Sequence, residues 1–595
     1  MKSRDRNIAF AWIAGILLGA PGCGYLSNDH FFDGVGAVRG RLLLDGGPAA
    51  GALVFVLDEE GVLEKVGTDE QGRFDLRARA GRERVLVGLW GAALGVQRAF
   101  SLAGEGEVDL GALDLVSVGE IQGSVRGTGL DPRAVEVRVA GSELVIRPDA
   151  DGSFRLLLPA GSWSLELAAA GYERVRLDGV RAGSGSVTLS SEVDLAPDPA
   201  YVCEGSQLRV DRYSQGGGGA VDVLFVIDNS GSMVGEQIQL GESFSKLVEL
   251  LQPGGVDYRI AVVTTGLRSE GCPDCEGQIV MGCMNATGET GRFQDRLGKV
   301  IDPDADPPVF EFQDAPECRI IGPDNLSCFY DPVEERGVAL VGVNGCGYER
   351  GLAAMRLALE DPQQRADFLR PWSRLAVVVI SDDGDCGEVG DVSESIPMTG
   401  AGVCYYSSKG IGPDGSSFHP DDPDRRPYVL TPVDSYAEFL SSLKPVSGLV
   451  TFSAVVGLED PDDPDSTEIR YAGVDPSAGI LEACQTPDCT GLGCSANPGP
   501  RYVQLARMTH GAVETICQTD FSDTLARVVD VSVGFKRNFA LSAEPLAPEA
   551  ISVRVEGEAR SNWSWSPERR AVMFGSGSEP AAYAAVEIEY EAACP

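Results

Sequence analysis

The stretch that most limits what this chain can fold into is residues 221–233, Val-Asp-Val-Leu-Phe-Val-Ile-Asp-Asn-Ser-Gly-Ser-Met. Val221 to Ile227 is an almost unbroken apolar run of strand length. A run without alternation marks a strand covered on both faces. It stops at Asp228, a small polar turn follows, and 233–251 reads as a helix. Strand, turn and helix make the first half of a βαβ unit, with the turn at the carboxyl end of its strand. Open parallel sheets bind ligands in the crevice beyond those ends. A plain helix N-cap would use the same residue types, since Asp and Ser accept from the first free amides of a helix.

The turn presents Asp228, Ser230 and Ser232 as Asp-x-Ser-x-Ser. One carboxylate and two hydroxyls are hard oxygen donors, and alternate residues of a tight loop can face one point. The set suits a small hard cation, Mg²⁺ first and Ca²⁺ or Mn²⁺ after it, that takes about six oxygens and keeps some water. With a single charged donor the ion stays electron-poor and attracts an anionic ligand from outside.

This segment resembles the metal-ion-dependent adhesion site of von Willebrand factor A domains. Residues 375–384, Leu-Ala-Val-Val-Val-Ile-Ser-Asp-Asp-Gly, match the family's later apolar strand followed by Thr-Asp-Gly, with Ser in place of Thr. The resemblance implies a doubly wound, Rossmann-like α/β domain. It makes Asp382 the distal carboxylate, acting through water. It also implies a protein ligand whose own Asp or Glu completes the coordination. The family's remaining ligand is a Thr, due near residues 344–349, Asn-Gly-Cys-Gly-Tyr-Glu, where this sequence has none. Cys346 stands at the nearest position, and Glu349 is the acid available to substitute.

The formal net charge of −40 argues against a nucleic-acid partner, whose phosphates need clustered Lys and Arg, and against adsorption on an anionic membrane. Lys2, Arg4 and Arg6 precede an apolar stretch, 8–20, that is too short to span a bilayer. Ala20-Pro21-Gly22-Cys23 resembles a bacterial lipobox. The resemblance implies an exported protein tethered through a lipid on Cys23 to the bacterial cell envelope, at the outer membrane or cell surface. Membrane contact would run through that anchor only. Of 15 cysteines, 14 remain after Cys23, and none of them precedes Cys203. Export and a total of three His favour disulfides over a zinc site at Cys272, Cys275 and Cys283. Cys203 and Cys594 flank the central domain and are expected to pair.

The length fits about four domains. Residues 1–22 read as the signal peptide and 23–35 as a spacer. Residues 36–116 and 117–198 are two copies of one β-rich pattern, with Phe74 and Phe154 lying 80 residues apart at matching positions. They resemble carboxypeptidase-regulatory-like (transthyretin-like) domains, which implies β-sandwiches without catalytic residues, serving as a stalk. Residues 199–219 read as a linker ending in four Gly, 220–533 as the α/β domain with disulfide-rich insertions, and 534–595 as a small C-terminal β domain. Strands are predicted at 221–227, 258–264, 375–381, 448–456 and 511–516. Helices are predicted at 233–251, 349–360, 434–444, 501–508 and 520–530. Inserts fill 266–335, 384–430 and 458–500, and the first two are expected to rim the crevice.

An enzyme needs a nucleophile or an acid–base pair. The three His (His30, His419, His510) lie in the spacer, in an insert and before a strand, and no hydrolase, Walker or Rossmann glycine motif is present. Asp382, Asp383 and Asp385 cluster where a metal would explain them. The sequence thus reads as an envelope protein that binds a protein ligand through a divalent cation. An envelope scaffold with a degenerate metal site is the alternative, and a metal-dependent envelope hydrolase is the remote one.

Overall fold

The computed structural model describes residues 34–594 except for internal segments, of which 268–290, 388–429 and 469–480 are the longest. The expected signal peptide, Cys23, nearly all of the spacer, Cys272, Cys275, Cys283, Cys346, His30, His419, the 216–219 glycine run and most of the 384–430 insert lie outside the described residues.

The central domain is built on five parallel strands: β1 (Ala220–Ile227), β2 (Asp257–Thr264), β3 (Arg374–Ile380), β4 (Val450–Val456) and β5 (Val513–Thr515). They lie in the order β2-β1-β3-β4-β5, with β1 pairing β2 and β3 in continuous register. The order reverses at β1, which makes the β1–β3 crevice the topological switch point. The helices are α1 (Val234–Leu251), α2 (Gly351–Glu360), α3 (Pro362–Phe368), α4 (Val433–Ser442), α5 (Pro500–Met508) and α6 (Ser522–Val533). Every residue of β1 is buried, because alternate side chains enter two cores. Val223, Phe225 and Ile227 pack with Leu240 and Phe244 of α1 and Leu525 and Val528 of α6. Leu224 and Val226 pack with Leu352 and Met355 of α2 and Tyr502 and Leu505 of α5. Helices therefore cover both faces, as in a doubly wound sheet. Helix α3 was not predicted: Pro362 ends α2 and opens a new helix, capped by Asp361 through the Gln363 and Gln364 amides.

One residue of β1 breaks the apolar run. Asp222 is fully buried and held by the Arg370 guanidinium at 2.8 Å, by the Arg370 amide at 2.8 Å and by the Ser373 hydroxyl. Lys444 donates beside it to the Arg370 carbonyl and to Ser373 Oγ at 3.0 Å.

Both N-terminal units consist of two sheets enclosing a core. Their repeat shows in matching hairpin turns. The amides of Asp69 and Asp149 each donate to the carbonyl of the residue four ahead, their carbonyls accept from the amides of Gly72 and Gly152, and those glycines take the left-handed conformation with φ of 73° and 86°. The short strand Val116–Ser117 pairs with Leu94 and Gly95, so the first sandwich runs past the predicted boundary at 116. The stalk expectation needs correction too. Phe55, Val87 and Leu89 of the first sandwich face the core of the second, and Leu449 of the central domain is buried against the first. The units pack on one another rather than standing in a row.

The predicted 199–219 linker is also corrected. Ser206–Ser214 is a strand that pairs antiparallel with Ala585–Ala593 along its whole length. The C-terminal β domain therefore begins before the central domain and closes after it, and the α/β unit is an insertion between its strands. Tyr213, Phe539, Val553, Val586 and Ile588 fill its core, and a disulfide joins Cys203 to Cys594 just beyond the Ser206–Ala593 end of that strand pair. The described part of the 266–335 insert does not rim the crevice. Ile321 bridges to Ile260 along the free edge of β2, and Phe329 packs on Phe225 and Phe244. Covering an edge strand in this way blocks pairing with another chain.

Candidate metal centre

Strand β1 delivers Asp228 at its carboxyl end, and β3 delivers Ser381, Asp382 and Asp383 beside it. Asp228 is fully buried. Its Oδ1 accepts from the Ser230 amide at 2.7 Å and its Oδ2 from Ser381 Oγ at 2.6 Å, so the carboxylate is locked between the two strands. Ser230 Oγ and Ser232 Oγ lie 3.1 Å apart. Gln237 of α1 ties the loop down, donating to the Asp228 carbonyl at 2.9 Å and the Gly342 carbonyl at 2.8 Å.

The chain before α2 docks on this turn from above. The Gly345 amide donates to the Asn229 carbonyl at 2.7 Å, and a Cβ at Gly345 would fall 2.1 Å from Asn229 Oδ1. That approach demands glycine, and it brings in Glu349. Glu349 is buried, and its Oε2 accepts from Thr265 Oγ1 just past β2. Thr265 is a residue that the sequence reading missed. It comes from a different loop from the one searched for the family's Thr, and nothing local marks it.

Four carboxyl groups are thus buried together: Asp228, Glu236 at the start of α1, Glu349 and Asp382. Asp383 lies half-buried beside them and accepts from Asn497 Nδ2. Burial, and then the negative charge of Asp228, hold Glu349 and Asp382 well above the usual carboxylate range. Burial also raises Asp228 itself, lifts Asp383 to about 6 and lifts Glu236 to about 7. No cationic side chain counts among the main influences on any of the five.

Glu236 escaped the sequence reading, whereas Asp383, grouped there with the metal acids, does lie at the site. Glu236 sits in the first helical turn, where an acid is ordinary, and the 458–500 insert that reaches Asp383 was not expected at the site. Asp385, grouped with the metal acids on sequence, belongs elsewhere: it pairs with Arg501 at 3.0 Å and accepts from the Leu352 amide at 3.1 Å. His510 is remote, following α5 with φ of 56° and facing Asp149 at 3.8 Å.

The donor set suits a hard divalent cation. Asp382 Oδ1, Glu349 Oε1 and Glu236 Oε2 are buried without a hydrogen-bond partner. Buried oxygens of like charge are costly unless a cation or proton meets them. Among the described residues no three acidic, His or Cys side chains converge closely enough to hold a metal ion by themselves.

No protein-family model matches the chain, and no curated protein matches it. Among solved structures, a pilus adhesin of Streptococcus pneumoniae is 10% identical over 80% of this chain and 78% of its own, with a TM-score of 0.24. A von Willebrand factor type A protein of Catenulispora acidiphila is 10% identical over 66% of each chain, with a TM-score of 0.23. The TIE protein of Bacillus anthracis is 14% identical with a TM-score of 0.12, and the likeness covers 32% of this chain and about a third (36%) of that protein's length. At these TM-scores none of the three assigns a role to any residue of the site.

Proposed function

We propose that this chain is an exported protein of the bacterial cell envelope, tethered through Cys23, whose central domain binds a protein ligand with the help of a divalent cation. Asp228, Ser230 and Ser232 would hold the ion directly, Glu349 would take the place of the usual Thr, and Asp382 would act through water. Mg²⁺ is the first candidate, with Ca²⁺ and Mn²⁺ next. The bound ion would supply Lewis acidity toward a carboxylate from a partner's Asp or Glu. The chain's own part is to fix Asp228 with Ser381 and the Ser230 amide, and to keep Glu349 in place with Thr265.

The observation that carries this reading is the set of buried carboxyl groups, three of them with an unsatisfied oxygen, at the switch point of a parallel sheet. The test is thermal unfolding with chelator, Mg²⁺, Mn²⁺ or Ca²⁺. A real site stabilises by about 2.7 kcal/mol at a hundredfold excess over Kd, and Asp228→Ala should abolish that gain. A wild-type protein indifferent to all three ions would end the proposal.

Glu349 favours a second reading, an envelope scaffold with a purely structural ion. A second carboxylate beside Asp228 leaves the ion less electron-poor and weakens its pull on an outside ligand. In that case Mg²⁺ would still raise the midpoint, while carboxylate peptides would bind equally with and without it.

A further inference from the structure

We propose a second ligand site, for a small oxyanion, in the cavity where the amino-terminal ends of β3 and β4 meet the second sandwich and the C-terminal β domain. The cavity measures about 620 Å³. Its lining carries five Lys and Arg residues against three acids, in a chain whose net charge is −40. Most of those charges already have partners: Arg527 pairs with Glu514, and Arg155 lies 3.8 Å from Glu120.

Arg374, the first residue of β3, is the exception. Its Nε is buried without a hydrogen-bond partner, and its Nη1 makes only a long contact, 3.4 Å, with the Gly448 carbonyl. Burial and the neighbouring Arg155 both press its pKa down, to about 10. Thr451 of β4 adds a buried hydroxyl that also lacks a partner. Lys536, on the segment returning to the C-terminal domain, also lines the cavity, with its ammonium 5.7 Å from the centre of the Tyr213 ring. A guanidinium, a hydroxyl and an ammonium lining one cavity match the acceptors of a phosphate or carboxylate group, which the guanidinium fork can take bidentately. Gln122 at 2.8 Å and Ser186 at 2.6 Å both donate to Glu120 Oε2, while the buried Oε1, 3.8 Å from Arg155, keeps an anion away from that side of the cavity.

The three groups come from the central domain and from the segment entering the C-terminal domain, so an anion bound here would tie those two units together. The cavity lies at the opposite end of β3 from Asp382, about 20 Å away at roughly 3.3 Å per residue. It is therefore independent of the metal crevice.

The experiment is calorimetric titration of the full chain with inorganic phosphate, and separately with acetate, in chelator and at an ionic strength held constant with chloride. One saturable site is expected, and whichever anion gives it identifies the source. Arg374→Gln should weaken it roughly tenfold or more, the loss of a charge-assisted bond. Lys536→Gln, which keeps the length of the side chain, should weaken it several-fold and decides the matter if Arg374→Gln unfolds. No saturable binding of either anion, or unchanged affinity in the folded variants, overturns the proposal. Neither outcome touches the metal reading, because no divalent ion is present.

Discussion

Glu236→Gln tests the electrostatics of the crevice with a number attached. Glu236 stands in the first turn of α1, where the helix dipole ordinarily favours an ionised acid. Burial nevertheless wins. The residue is 3% exposed, its Oε2 has no partner, and burial, then the charge of Asp228, raises its pKa from 4.5 to about 7. That gap corresponds to about 3 kcal/mol between the two protonation states. The folded state holds the proton more tightly than the unfolded chain does. The resulting stability is complete below the unfolded value of 4.5 and is lost as pH rises through 7. Glutamine keeps the shape and removes the titration. In chelator, the variant should match wild type at about pH 4 and exceed it by up to about 3 kcal/mol at about pH 8. A multidomain chain has no single unfolding free energy. The measurement is therefore hydrogen exchange of the α1 amides, which reports the local opening free energy. With Mg²⁺ present the advantage should narrow, because a cation beside Asp228 offsets the share of the shift that Asp228 supplies. A variant no more stable than wild type at the higher pH, or equally advantaged at both, would refute the reasoning.

Three further perturbations separate the parts of the structure. Asp222→Ala strands Arg370 and Lys444 inside the sheet and should cost about 3–5 kcal/mol, read as faster exchange of β1 amides. Gly345→Ala pushes a methyl group against Asn229 and should shrink the Mg²⁺-induced thermal shift while leaving exchange in the sheet unchanged. Cys594→Ser opens the clamp on the C-terminal domain and should cost about 2–4 kcal/mol. Exchange along Ser206–Ser214 should rise first, and unreduced peptide maps of wild type should contain the Cys203–Cys594 fragment.

What the sequence revealed, and where it stopped, follows from how each residue gets its partners. The five central strands and the Asp228–Ser232 turn are legible because an apolar run and a polar turn are local properties. Ser206–Ser214 is misleading because its alternation is inverted: Leu208 is 66% exposed while Asp211 is 3% exposed. Asp211 faces inward because Arg147, the Tyr590 hydroxyl and the Ser542 amide meet it at 2.9, 2.8 and 2.7 Å, and all three are remote in sequence. Asp222 behaves the same way with Arg370, 148 residues away. In both places the fold answers a buried acid with an arginine. At the ends of β1 and β3 it gathers Asp228, Glu236, Glu349 and Asp382 and meets them with hydroxyls and amides, with no arginine among the main influences on their charge. Elsewhere this chain provides a guanidinium where burial demands one; in the crevice a proton meets that demand, and the cation proposed above would take the proton's place.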